Sequence, residues 1–131
     1  TRVTKPWGFV TDIHFFYHTN PPQELLDELN ELLGINIQPW GYEYWDDLYR
    51  ECGLENYYRH TQEVALVTDA EVETYARALA KEREVAADVE EGIVERLQES
   101  MLLFNRNHSY LSWGVFTNRK RTYPEQVALF E

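Results

Sequence analysis

Apolar positions along this 131-residue chain recur at two spacings, every second residue in short runs and every third or fourth in longer ones. Residues 9–17 read as a strand: Val10, Phe15, Phe16 and Tyr17 are β-formers, and Thr11-Asp12-Ile13-His14 partly alternates. The run ends at Asn20-Pro21-Pro22, where Asn20 is placed to cap a helix and Pro21 to occupy its first turn. Leu25, Leu26, Leu29, Leu32 and Leu33 then fall at helical spacing, with Glu24, Asp27, Glu28 and Glu31 opposite, and Gly34 supplies a left-handed stop. Ile35-Asn36-Ile37-Gln38 alternates, and Pro39 restricts it to a short edge strand. A turn is expected at Trp40-Gly41, then a short helix over 44–52 stopped by Gly53, and loop over 54–60.

Residues 63–67 are β-branched and apolar enough for a buried strand, and they run into Thr68-Asp69-Ala70-Glu71, a capping box. From there Val72, Tyr75, Ala76, Leu79, Ala86, Val89, Ile93, Leu97, Met101 and Phe104 predict a helix over 69–105. Gly92 and the Glu82-Arg83 pair at would-be apolar positions predict a kink or a split in it. Residues 109–117 read as a strand with Leu111, Trp113 and Val115 on one face, 118–121 as its turn, and 124–130 as a short docking helix. The expected fold is α+β: a small mixed or antiparallel sheet of about four short strands, one long or kinked acidic helix and two or three short helices. Length places all 131 residues in a single globular domain.

Charge narrows the partners. With 23 acidic residues against 12 basic ones the formal charge is −11, which repels phosphate backbones and argues against a general nucleic-acid binder. The acids crowd residues 23–99, and a basic corner stands at Arg119, Lys120 and Arg121. Cys52 is the one cysteine, so no internal disulfide forms and a reducing compartment is the simpler reading. No window suits a membrane span and residues 1–9 lack the apolar core of a signal peptide, so the expected location is cytoplasmic, without a membrane partner.

The richest stretch for recognition is Trp40 to Tyr58, where seven Trp and Tyr side chains interleave with Glu43, Asp46, Asp47, Glu51 and Glu55. Stiff aromatics with one polar handle dominate contact surfaces, and carboxylates around them steer a basic partner. Glu43, Trp45, Asp46, Asp47 and Tyr49 are therefore the candidate docking surface, with Arg119, Lys120 and Arg121 as a second contact of opposite sign. The plainer reading turns the rings inward and leaves the acids as a solvated rim. The row Glu84, Asp88, Glu91, Glu95 and Glu99 suggests an alternative, a DNA-mimic inhibitor of a nucleic-acid-guided defence complex. Asp12, His14 and His18 share one strand face by even spacing and suggest another, a small metal-dependent hydrolase, although the Asn/Pro turn begins just after His18. Cys52, Ser100, Ser109 and Ser112 lie in no nucleophile motif, and no glycine-rich phosphate loop is present. No catalytic residue, metal or cofactor is implied.

The Thr4-Lys5-Pro6-Trp7-Gly8-Phe9 opening, the Trp40 to Tyr58 block and the long acidic helix together resemble the inhibitors of bacterial RNA polymerase made by phages of thermophilic hosts. The excess of arginine over lysine and of glutamate over aspartate is compatible with a hot or GC-rich host. The resemblance implies a non-enzymatic transcription regulator in the host bacterial cytoplasm. It would dock on RNA polymerase holoenzyme at the β flap and the sigma factor, inhibiting or redirecting promoter recognition.

Overall fold

The structure is a computed structural model and describes residues 4–121. In chain order its elements are β1 (Phe9–Tyr17), α1 (Gln23–Leu33), α2 (Tyr42–Glu51), β2 (Leu54–Glu63), α3 (Asp69–Glu82), α4 (Glu90–His108) and β3 (Leu111–Lys120). The fold is α+β, and its described residues gather into two compact units. Unit 1 takes residues up to 19, 39–63 and from 111 onward; unit 2 takes 20–38 and 64–110.

Unit 1 is a three-stranded sheet in the order β1-β3-β2, with β3 antiparallel to both neighbours, so that β1 and β2 run parallel to each other. Phe16 lies opposite Ser112, which in turn pairs with Glu63, and this register fixes two faces. Val10, Asp12, His14 and Phe16 of β1 share a face with Ser112, Gly114, Phe116 and Asn118 of β3 and with Arg59, Thr61 and Glu63 of β2. α2 covers this face: Phe16, Tyr49, Leu54 and Phe116 form the core, with Val10, Tyr42 and Trp45 packed against it. Glu43 in the first turn of α2 and Arg50 in its last suit the helix dipole. Gly53, at φ 71°, then reverses the chain into β2, in a conformation that L side chains avoid.

Unit 2 is helical. α1 buries Leu25, Leu26 and Leu29 and ends on Gly34, whose φ of 64° closes the helix with its N–H on Asn30 O. α3 starts with the Thr68/Glu71 capping box, both reciprocal bonds present. α3 and α4 pack through Ala76, Ala80 and Val94, flanked by Val85, Leu97 and Met101. Arg77 spans the pair, bonded to Glu73 on its own helix and to Glu91 on α4.

Several local expectations change. The helix expected over 69–105 is two helices: it stops at Glu82 and restarts at Glu90, Glu84 sits at φ 52°, and Gly92 lies inside α4 rather than at the break. Residues 35–38 form no strand, and the Ile37 N–H donates to the side chain of Asn30 at 2.7 Å. Residues 54–60 are not loop but most of β2, whose register shift between Asn56 and Tyr58 erases the alternation that marks a strand. Residues 64–67 lie outside any strand; the Val67 N–H and carbonyl are met by Asn105 at 3.0 and 2.8 Å. Asn118, Arg119 and Lys120 continue β3 instead of turning, because Lys120 pairs through both its backbone groups with Trp7 and Gly8. Asn20 caps nothing: the cap position is Pro22, with no side-chain bond. The helix expected over 124–130 lies outside the described residues. Among the described residues no helix is long and apolar enough to cross a membrane.

Candidate functional site

The helix-covered face of unit 1 gathers polar groups around aromatic rings. The Tyr49 hydroxyl, reaching down from α2, donates to Asp12 Oδ2 at 3.1 Å and lies 3.0 Å from His14 Nε2. Because that hydroxyl has one proton and gives it to the carboxylate, Nε2 of His14 is the donor in the second bond. The His14 ring stacks on Phe116 with centroids 4.4 Å apart and tilts against Trp45 at 4.2 Å. Burial, reinforced by the hydrogen bond to Asp12 and its charge, pushes the Tyr49 phenol well above its ordinary range.

Beside it, Arg59 lies over the rings of Phe116 and Tyr49, 5.1 and 5.4 Å from their centroids. It donates to Asn118 Oδ1 at 2.7 Å, to the Thr117 carbonyl at 3.1 Å and to Asp46 at 3.2 Å. Planar donors on both edges and ring faces beneath make this guanidinium a fixed part of the sheet.

A second polar group stands at one end of the sheet. β1 and β2 terminate there and β3 begins there, so their carboxyl ends and the start of β3 converge. Just past β1, His18 Nδ1 lies 3.0 Å from the Ser112 hydroxyl, and Glu63 is Ser112's register partner on β2. An imidazole and a hydroxyl thus meet at this end of the sheet, with Glu63 opposite Ser112 in the ladder.

The residues singled out in the sequence are distributed unevenly. Trp45 and Tyr49 pack inward on the sheet core, while Glu43 and Asp47 are exposed. Asp46 is engaged by Arg59 and Asp47 by Arg50. Arg119 and Arg121 both bind Glu55, and the hydrogen bond from Arg119, then that from Arg121, hold its carboxyl below the usual range. Lys120 is largely buried, its Nζ donating to the Thr4 carbonyl at 2.8 Å. Asp12 and His14 do meet, through Tyr49, whereas His18 joins Ser112; among the described residues no group of three metal-ligating side chains forms. Glu84 and Asp88 precede α4, so the acidic row does not lie on one helix.

Unit 2 holds a groove of about 480 Å³ lined by Val67, Val72, Tyr75, Met101, Phe104 and His108. Burial lowers the His108 pKa, and its Nδ1 finds no hydrogen-bond partner among the described residues. In the sequence His108 is marked only by its place in a helix's last turn.

No protein-family model matches this chain, and no curated protein does. Solved structures do. The MccD protein matches 88% of this chain at 15% identity and a TM-score of 0.77. A protein from Galdieria sulphuraria assigned as a sarcosine dimethylglycine methyltransferase matches 92% at 16% identity and a TM-score of 0.64. A SAM-dependent methyltransferase from Thiobacillus denitrificans, solved with S-adenosyl-L-homocysteine, matches 89% at 15% identity and a TM-score of 0.60. The chain spans about half the length of each, 49%, 44% and 48% respectively. These likenesses give the fold, and they correct the sequence-based expectation of a phage RNA polymerase inhibitor. They support neither a non-enzymatic transcription regulator nor the DNA-mimic and metal-hydrolase alternatives.

Proposed function

We propose that this chain forms the acceptor-side portion of an S-adenosylmethionine-dependent methyltransferase. The observation that carries the reading is the match of about nine-tenths of the chain to two proteins named as methyltransferases, at TM-scores of 0.64 and 0.60.

The residues present do not fit the cofactor itself. Nucleotide-type cofactors are held where a glycine-rich turn joins a strand to a helix and lets the backbone approach the ligand. Here β1 leads into Thr19-Asn20-Pro21-Pro22 and β2 into Val64-Ala65-Leu66-Val67, with no glycine in either, and the chain's six glycines are scattered. Its own residues suit the other task, handling a methyl acceptor. Ligands of open sheets gather beyond the carboxyl ends of the strands, and that is where His18, Ser112 and Glu63 stand. An imidazole held by a serine hydroxyl can take the proton that an amine or hydroxyl loses in becoming a nucleophile, and Glu63 supplies negative charge for a cationic group.

The test is protein isolated from its own source, incubated with [methyl-³H]S-adenosylmethionine and a panel of small amines and amino acids. Label should pass to an acceptor, and His18→Ala should cut the transfer by about a hundredfold or more while leaving cofactor binding intact. Absence of both label transfer and cofactor binding would overturn the reading.

A further inference from the structure

In unit 2, the first half of α4 has one side that nothing covers. Val89, at the N-cap, is 49% exposed, and Ile93, one turn on, is 38% exposed. Gly92 lies between them, and a notch of about 650 Å³ opens there, walled by Asp88, Val89, Ile93, Arg96, Leu97 and Ser100, all of α4 or the residues leading into it. Each helical residue turns the direction by about 100°, so Val94, which packs with Ala76 and Ala80 of α3, points away from Gly92. α1 meets α4 further along, where Arg106 pairs with Glu28.

Features of this side have no use within the chain itself. A Cβ added at Gly92 would meet nothing within 4 Å, so this poor helix former makes room for no neighbour of its own chain. Asp88 and Arg96 are exposed and form no ion pair among the described residues, whereas Arg50, Arg59, Arg77, Arg106, Arg119 and Arg121 each meet a carboxylate. Asp88 stands four residues before Gly92 and Arg96 four residues after it, about 6 Å along the axis to either side. A half-turn around a line through Gly92 and perpendicular to α4 therefore exchanges their places. It sets Asp88 of each copy against Arg96 of the other, Ile93 against Gly92, and Val89 against Leu97. With no side chain on either glycine, the two backbones can approach closely where they cross. A parallel pairing would instead set Asp88 against Asp88 and Arg96 against Arg96.

We infer that this side of α4 is a two-fold contact between two copies of the protein, antiparallel and centred on Gly92. A surface that complements itself under a half-turn is what such an interface requires, and the charge order along α4 selects a second copy as the occupant. The contact joins one helix to one helix and is smaller than a standard protein interface. The dimer is therefore reversible, and its population follows the protein concentration. The inference is independent of the methyltransferase reading, since it uses neither the sheet nor the residues assigned to the acceptor.

The experiment measures the dimer dissociation constant by analytical ultracentrifugation, over a concentration series of protein expressed from its own gene. Asp88→Arg and Arg96→Asp, each alone, put like charges at both contacts, and each should weaken the dimer at least about tenfold. Mixed together, the two variants regain opposite charges at both contacts. Native mass spectrometry of differently tagged copies should then show mixed dimers in preference to either variant's own. Gly92→Gln, whose Cβ has open space in the single chain, should keep the native circular dichroism and lose the dimer, a check that changes no charged residue. A native protein that stays monomeric up to about 1 mM would overturn the inference. So would a dimer that folded single-swap variants or Gly92→Gln leave unchanged, or folded swap variants that do not pair with each other.

Discussion

The Tyr49 hydroxyl donates to Asp12 across 3.1 Å, tying the middle of α2 to the middle of β1 over 37 residues of sequence. The bond is half-buried and its oxygen also receives His14, so one phenol joins helix, carboxylate and imidazole. Tyr49→Phe keeps the ring that packs on Phe16 and Phe116 but leaves both partners unmatched. The expected loss is about 1–2 kcal/mol of stability, read as a lower urea midpoint with an unchanged slope.

The same residue sets an alkaline limit. Folding raises the Tyr49 phenol above its unfolded value of about 10, chiefly through burial. Its contribution is therefore complete below about pH 10 and is lost as pH rises through the folded value. Urea midpoints should fall between about pH 8 and about pH 11 in the native sequence, and by less in Tyr49→Phe.

Gly114 sits at the centre of β3, where an added Cβ would meet Phe116 Cε2 at 2.6 Å and the His60 carbonyl at 3.1 Å. Phe116 is fully buried and cannot swing away. Gly114→Ala should therefore destabilise unit 1 by about 1–3 kcal/mol, seen in thermal unfolding followed by near-UV circular dichroism.

Arg59 holds four acceptors, the Tyr58 and Thr117 carbonyls, Asp46 and Asn118, with a side chain only 11% exposed. Arg59→Ala strands the buried Asn118 amide and removes the cation from above two rings, for an expected cost of about 2–4 kcal/mol. Arg59→Lys should recover less than half of it, because an ammonium cannot reproduce the planar fork; chemical denaturation of the three proteins checks the order.

In unit 2, Thr68→Ala removes the cap of α3 and should cost about 1 kcal/mol, lowering hydrogen-exchange protection in the first turn. The backbone hydrogen bond from Thr68, and then that from its hydroxyl, hold the Glu71 carboxyl below its usual range. Its contribution is present above the unfolded value and lost as pH falls through the folded one, so the penalty of Thr68→Ala should shrink in acid.

Features governed by neighbours in sequence were legible. The span of β1, the helix α1 with Leu25, Leu26 and Leu29 buried, the Gly34 stop and the Thr68/Glu71 box all follow from local rules and stand in the structure, whereas Leu32 and Leu33 of the expected stripe are exposed. β2 was hidden because its bulge puts Tyr57 and Tyr58 in succession and breaks the two-residue period. The alternation at 35–38 misled because the Asn30 side chain, not a strand, takes up that backbone. At the site, even spacing placed Asp12, His14 and His18 on one face. Nothing local signalled that Tyr49 would bridge the first two or that Ser112, from the far end of the chain, would claim the third. The fold shared with the solved structures is carried by strand order and direction, which a single sequence does not display, and the acidic, aromatic composition pointed instead to a docking protein.

The order β1-β3-β2 also sets a timetable for synthesis. Both outer strands find their partner only in β3, the last strand among the described residues. On the ribosome, the α3–α4 pair can close from nearby residues as it emerges. β1 must wait for about a hundred residues before its ladder exists, holding its apolar side chains in the open until Lys120 has left the exit tunnel. A nascent chain stalled before Leu111 would thus carry two unpaired strands and no sheet, the species for which a chaperone is most needed.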